Sequence, residues 1–226
     1  MSSRVLDRSE VTEVSLNDIK QMALDAYDSL WAQARRLGRD VKIYLHWTAG
    51  RYTQFWDDYH IQIDYDGKIY VPDGVAFDDI LSATYLRNTG SVSVTALCGV
   101  DCSSETPGVE APLTAKQIEV MSQVVAVLAN ALDLTIDIFR VMTHGEAADN
   151  EDGIWLVDED GPYGPKHTWE RWDLEVLWND ESPEHDVWGV KGYKRGGDVL
   201  RGKANWYRQQ GIEGVYEPRK LGPTPE

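Results

Sequence analysis

The chain has 226 residues, of which 42% are hydrophobic, and a formal net charge of −16 at pH 7. This length can bury one sizeable core but is short for two full domains. The negative charge argues against nucleic-acid binding through phosphate contacts, because the field of the protein would repel a polyanion. No apolar run approaches the roughly 18 residues of a membrane span, and the first ten residues contain no apolar signal segment. We expect a product made in the cytoplasm without a signal peptide.

The chain is expected to contain one domain between two short ends. Residues 1–14 show no sustained periodicity and predict a flexible leader. The domain is predicted over 15–214. Residues 215–226 contain three prolines and predict a flexible tail.

Three helices are predicted from apolar spacing and capping residues. Ser15 is a favourable N-cap for an amphipathic helix over 16–37. Thr114 begins a capping box that opens a second, largely apolar helix to about Leu132. A third helix is predicted around 198–210.

Four segments read as strands. Residues 41–46 alternate between polar and apolar side chains, as in a half-buried strand. Residues 59–70 predict a hairpin in which the Asp-Gly pair at 66–67 forms a two-residue turn. Residues 91–98 predict another strand, and 136–141 a short strand or extended segment.

Three side chains at the ends of apolar segments are candidates for a metal site. His46 ends the first predicted strand, His144 follows a core segment, and Asp173 follows a long polar loop. Three ligands of these types, with one position left for water, make a catalytic zinc site. The spacing contains neither His-Glu-x-x-His nor Cys-x-x-Cys, so each residue could equally have a structural role.

The remaining cysteines and histidines have plainer interpretations. Cys98 and Cys102 do not suffice for a disulfide framework or a four-ligand zinc site, so they are free or close a small loop. His60 is structural or faces a substrate, and His167 and His185 lie in polar loops. The nine tryptophans and eleven tyrosines predict core packing or a cleft with aromatic walls.

Five motifs stand in an order known from one enzyme family. They are His46-Trp47-Thr48-Ala49, Tyr59-His60-Ile61 with Ile63 and Asp66-Gly67, Asn88 with Ser91-Val92-Ser93-Val94, Thr143-His144 with Glu146-Ala147-Ala148, and Arg171-Trp172-Asp173-Leu174. Over about residues 41 to 180, the chain resembles the zinc-dependent N-acetylmuramoyl-L-alanine amidases, whose superfamily includes the peptidoglycan recognition proteins. The last two motifs are most similar to bacteriophage and prophage members, which act as endolysins.

The resemblance implies a fold, a metal and an activity. It implies an α/β fold, with a central mixed sheet, helices on both faces and Zn²⁺ in a groove at the sheet edge. It implies that His46, His144 and Asp173 bind the metal, that Tyr59 faces the zinc-bound water, and that Arg171 stabilises the oxyanion. The implied reaction cleaves the amide between N-acetylmuramic acid and L-alanine of peptidoglycan, after release of the protein to the cell wall.

Two positions depart from the family pattern. Thr95 stands where some members carry a catalytic glutamate, which leaves the general base open. Glu146 could take that role, although its position beside His144 also suits a helix cap or support of a ligand. Ala83 stands where related phage sequences often have histidine.

Two other functions fit the same resemblance. One is a module that binds peptidoglycan without cutting it. The other is a cytosolic amidase that recycles muropeptides, although Thr95 weighs against it. The expected partner in each case is peptidoglycan or a muropeptide, and the sequence indicates no protein partner.

Overall fold

A mixed six-stranded sheet forms the centre of the protein. The computed structural model describes residues 3–103, 105–151, 172–178 and 195–211. The elements in chain order are β1 (Val5–Leu6), a 3₁₀ helix (Arg8–Glu10), β2 (Val11–Val14), α1 (Leu16–Arg36), β3 (Lys42–Trp47), β4 (Phe55–Trp56), β5 (Ile61–Ile63), β6 (Ile69–Pro72), β7 (Ser91–Ala96), α2 (Ala115–Ala131), β8 (Val141–Thr143), α3 (His144–Ala148) and α4 (Gly196–Gln210).

The sheet has the order β2-β6-β5-β7-β3-β8. Strand β3 runs parallel to β7 and to β8, and β5 runs parallel to β7. Strand β6 runs antiparallel to both of its neighbours. The predicted α/β fold with a mixed sheet is confirmed.

The three predicted helices correspond to α1, α2 and α4, and the first two begin where their capping residues indicate. The Ser15 hydroxyl accepts a hydrogen bond from the Asp18 N–H, and the Thr114 hydroxyl accepts one from the Gln117 N–H. Each cap satisfies a backbone donor that the first turn of a helix leaves without a partner. None of the helices in the described part of the chain is both long and apolar enough to cross a membrane.

One face of the sheet carries the main core. Successive strand residues point to opposite faces, so Ile43, Leu45 and Trp47 of β3 share a face. They join Val92 and Val94 of β7 in a buried cluster that also contains the apolar residues of α1, α2 and α4.

The other face is covered differently. Tyr44 of β3 and Met142 of β8 form a small buried cluster with Ala147 of α3. Helices therefore pack on both faces, with the three long ones on the core face and the short α3 on the face that carries the alternate residues of β3.

Residues 5–14 differ from the expected flexible leader. Strand β1 pairs with β4, and β2 pairs with β6 at the edge of the main sheet. Leu6 and Val11 are buried in a second cluster, beside Phe55 and Tyr70. Ahead of β1, the Arg4 N–H donates to the Asp57 carboxylate. These strands are two and four residues long, too short to show a period. The predicted tail over 215–226 lies outside the described residues.

The hairpin between β5 and β6 is confirmed, but its predicted turn is wrong. The Asp64 N–H donates to the Lys68 carbonyl, and the Gly67 N–H donates to the Asp64 carbonyl. Three residues therefore separate this bonded pair instead of two. Gly67 has a φ of 81°, whereas Asp66 is not among the residues with positive φ, and a two-residue Asp-Gly turn needs both.

The segment predicted as extended over 136–141 is mostly a turn. The Asp137 carboxylate accepts hydrogen bonds from the Phe139 and Arg140 N–H groups. Only Val141 of this segment belongs to β8. The shift matters little for the site, because His144 still follows directly on the strand.

His60 has a structural role. Its Nδ1 lies 3.1 Å from the Ser93 backbone nitrogen, which donates to it, and its Nε2 lies 2.9 Å from the Asp79 carbonyl. The neutral ring, with its proton on Nε2, satisfies both contacts. Burial lowers the pKa of His60 from 6.5 to about 4, despite the opposing effect of Asp79.

We expect His60 to make the fold less stable in mild acid. Below pH 6.5 the unfolded chain takes up a proton that the folded chain does not, so stability is lost as the pH falls towards about 4. The loss should reach about 3 kcal/mol, since one pKa unit corresponds to about 1.4 kcal/mol. Urea unfolding between pH 7 and 4 should show a flatter pH dependence for His60→Gln than for the wild type. Parallel curves would contradict this assignment.

Candidate metal centre

Three separate parts of the chain bring the predicted ligands together. His46 lies near the end of β3 and His144 begins α3, directly after β8. Because β3 and β8 are parallel neighbours, with Leu45 opposite Thr143, the residues that follow these positions meet at the same end of the sheet. The Gly145 N–H donates to the carbonyl of Asp173 at 3.4 Å, which places the third side chain beside α3.

The three ligand atoms form a nearly equilateral triangle. His46 Nδ1 lies 3.1 Å from His144 Nδ1, and each nitrogen lies 3.2 Å from Asp173 Oδ2. Ligands bound tetrahedrally to zinc at about 2.0–2.1 Å stand about 3.3 Å apart. His46 is fully buried and His144 is 3% exposed. The group could hold a metal ion, and the spacing of its atoms fits one that binds all three.

The carboxyl group of Asp173 is ionised beside the two histidines. Burial raises the pKa of Asp173, but the adjacent His144 and His46 lower it more, so its pKa lies well below its usual range. His46 Nε2 lies 3.2 Å from Thr84 Oγ1. A proton on Nε2, donated to this hydroxyl, leaves Nδ1 as a lone pair aimed at the cluster.

The cluster lies at the wall of a cleft of about 450 Å³. This volume suits a small molecule or a short segment of an oligomer. His144 and Asp173 line this cleft, and its other walls come from four parts of the chain. These residues are Ser3, Trp47, Thr48, Ala49, Asp58, Tyr59, Ser82, Ala83, Tyr85, Leu86 and Asn88.

Tyr59 lies beside the cluster. Its ring centroid lies 5.1 Å from that of His46, and the residue lines the cleft. Arg171, the predicted oxyanion-stabilising residue, lies outside the described residues, as do His167 and His185.

Glu146 does not fit the general-base alternative. Its side chain is fully buried and forms an ion pair with Arg201 at 2.7 Å. The same carboxylate accepts a hydrogen bond from the Thr143 N–H at the start of α3. A general base must reach water or substrate, whereas this carboxylate is enclosed. The geometry therefore agrees with the alternative role of a helix cap that supports His144.

Thr95, the position that left the general base open in the sequence analysis, lies on the strand next to His46. It lies in register with His46 on the neighbouring strand and is fully buried. Among the described residues, its hydroxyl has no hydrogen-bond partner. The strand position in register with His46 thus offers a hydroxyl and no carboxylate.

Sequence reasoning missed two residues of the site. Asp58 lines the cleft, and burial raises its pKa. Its position directly before Tyr59 is the signal that could have drawn attention to it. Thr84 contacts His46, but nothing in its sequence context predicts a contact across 38 residues.

The two cysteines lie close to the cluster without joining it. Cys98 is buried and Cys102 partly buried, and both are free thiols. Burial raises the pKa of both, to about 12 for Cys102. Protonated thiols of this kind are poor metal ligands and poor nucleophiles.

Comparison with known proteins gives little further information. No protein-family model matches the chain, and no curated protein matches it. Among solved structures, the chain is similar to the Ph2119 endolysin from Thermus scotoductus MAT2119 bacteriophage Ph2119. The two share 19% sequence identity with a TM-score of 0.36, over 47% of this chain and 72% of the endolysin chain. A likeness of this size carries no argument about function.

We expect Asp173→Asn to weaken metal binding. The change keeps the size of the side chain but removes the charged ligand atom, so affinity for Zn²⁺ should fall at least about tenfold. Calorimetric titration of the metal-free protein measures this directly. Asp58→Asn is the matched control, since Asp58 lines the same cleft outside the cluster. Equal affinities in the wild type and Asp173→Asn would contradict the assignment.

If the Glu146–Arg201 pair has a structural role, a substitution that removes one partner should lower the stability of the fold strongly. Arg201→Met leaves a buried carboxylate without its counter-charge, which should cost about 3–5 kcal/mol in urea unfolding. Adding Glu146→Gln should recover part of that loss. Lys68→Met removes an exposed pair with Glu13 and should change stability by less than about 1 kcal/mol. Similar effects for Lys68→Met and Arg201→Met would refute this role.

Proposed function

We propose that the protein is a zinc-dependent N-acetylmuramoyl-L-alanine amidase that acts on peptidoglycan of the cell wall, in the manner of a phage endolysin. One observation carries the proposal: His46, His144 and Asp173 meet in a triangle with edges of 3.1–3.2 Å beside an open cleft. These are the residues that the family resemblance implies as ligands, and they lie 98 and 29 positions apart along the chain.

The donor set favours zinc. Two imidazoles and one carboxylate form a common ligand set of catalytic zinc, which leaves a fourth position for water or substrate. Soft thiolate ligands are absent from the cluster. A zinc ion held there would act as a Lewis acid towards a carbonyl oxygen and would activate water near neutral pH.

The residues of the chain supply orientation and charge. Thr84 fixes the ring of His46, and the Glu146 cap holds the first turn that carries His144. Tyr59 stands on the cleft wall beside His46, where its phenol can hydrogen-bond to the scissile amide or to developing charge on its oxygen. Arg171 would add a permanent positive charge for the same oxyanion, a role that rests on the resemblance.

Asp58 is the best-placed proton acceptor. Of the described carboxylates outside the ligand cluster, it is the one that lines the cleft. Burial raises its pKa, which brings it nearer to the range in which a group can exchange protons during turnover. If Asp58 accepts the proton, the site does not need a carboxylate at position 95.

The test is cleavage of purified peptidoglycan by the zinc-loaded wild type and Asp173→Ala. We expect the wild type to release new amino termini of L-alanine. The variant should do so at least about 100-fold more slowly, because its metal site is broken. Asp25→Ala is the matched control, because Asp25 is exposed on α1, which packs on the opposite face of the sheet.

Other outcomes would replace the proposal. Zinc binding without cleavage of any muropeptide would indicate a binding module. Cleavage of soluble muropeptides but not of intact walls would indicate a recycling amidase. Cleavage that persists in Asp173→Ala would show that the cluster is not the catalytic centre.

A further inference from the structure

A strained turn presents two large side chains at the cleft. The Arg87 N–H donates to the Thr84 carbonyl at 3.0 Å, which makes Tyr85 and Leu86 the central residues of a β-turn. Leu86 has a φ of 55°, in the left-handed region that favours glycine or asparagine. A turn of this kind is most easily made with glycine at the second central position.

Leu86 buries little apolar surface on folding, so its packing does not offset this strain. Its side chain is 63% exposed, and that of Tyr85 is 47% exposed. Both line the cleft that contains His144 and Asp173. A strained backbone that holds an apolar side chain out to solvent, beside a candidate active site, indicates contact with a ligand rather than with the core.

The turn is fixed on both sides. On one side, Thr84 Oγ1 lies 3.2 Å from His46 Nε2. On the other, Arg87 is fully buried and donates to the Asn150 side chain at 2.9 Å. The backbone that carries the two central residues is therefore anchored on both sides before any ligand arrives, which lowers the entropic cost of binding.

Backbone groups of Thr84 and Arg87, on the two sides of the turn, are already hydrogen-bonded within the protein. The Thr84 N–H donates to the Asn88 side chain, and the Arg87 carbonyl accepts hydrogen bonds from Ser91 and Arg39. With the Arg87 N–H also bonded to the Thr84 carbonyl, these groups are engaged within the protein. A peptide that binds by backbone pairing needs a row of available N–H and C=O groups. The turn instead offers an aromatic ring and an isobutyl group.

We propose that the Tyr85–Leu86 turn is a sugar-binding subsite, on which the apolar C–H face of an N-acetylated pyranose ring of the glycan strand packs. This inference rests on the proposed function, since the cleft would then hold the amide next to that sugar. A pyranose ring presents one face of C–H groups and a rim of hydroxyls. It can therefore contact Tyr85 and Leu86 through its face while its rim stays in water.

The test uses Leu86→Gly, for which function and stability should respond differently. Glycine relieves the backbone strain, so the melting temperature should not fall and could rise by up to about 3 °C. Affinity for a peptide-free probe, the tetramer of β-1,4-linked N-acetylglucosamine, should fall about fivefold, because a contact of one apolar side chain is lost. On peptidoglycan, KM should rise by a similar factor with kcat unchanged.

Ile80→Ser is the matched control. Ile80 is 59% exposed four residues before Thr84, but it is not among the residues that line the cleft. Its replacement should leave affinity for the tetramer unchanged. Tyr85→Ala provides a second variant at the turn and should weaken tetramer binding at least as much as Leu86→Gly.

Each outcome decides between the alternatives. Unchanged tetramer affinity in Leu86→Gly, or a wild type that binds muramyl peptides but not the tetramer, would overturn the sugar subsite and leave the amidase proposal standing. A melting temperature several degrees lower in Leu86→Gly would assign Leu86 a structural role and also overturn it. Tetramer binding lost in Leu86→Gly, in a protein that cleaves no peptidoglycan, would support the subsite while refuting the amidase.

Discussion

The buried pair of Glu146 and Arg201 is the contact on which the arrangement of the site depends. The guanidinium also donates to the Val141 carbonyl, so one side chain of α4 joins strand β8 to helix α3. The Glu146 carboxylate in turn caps the turn that begins with His144. Two opposite charges taken out of water hold each other and the backbone around them in one geometry. The position of His144, a candidate metal ligand, thus depends on a helix more than 50 residues away.

The site combines this rigid support with an open wall. His46 and His144 are almost fully buried, whereas Asp58, Tyr59 and the Tyr85–Leu86 turn face the cleft. His46 and His144 lie at the ends of a strand and a helix, whereas Asp173, Asp58, Tyr59 and the Tyr85–Leu86 turn lie on loops. Rigid elements hold two of the three candidate ligands at a fixed spacing, and the exposed side chains of the Tyr85–Leu86 turn remain accessible from solvent.

Much of this could be predicted from the sequence, and the failures have physical reasons. The long helices carry a strong period and clear caps, and the ligand cluster follows from motifs in a fixed order. Glu146 was a candidate base because sequence shows its distance from His144 but not its partner Arg201. Leu86 was missed because no side-chain pattern reveals a positive φ at leucine. The strands within residues 5–14 were missed because their partners, β4 and β6, lie about 50 residues further along the chain.

The course of the first described residues has a practical consequence. Ser3 lines the cleft, and Arg4 is hydrogen-bonded to Asp57, next to Asp58 and Tyr59. A purification tag or reporter fused ahead of Ser3 would leave the protein surface at the mouth of the cleft. Such a fusion could shield a polymeric substrate from the site while a small soluble one still enters. Recombinant protein is therefore better cleaved free of an N-terminal tag before its binding or activity is measured.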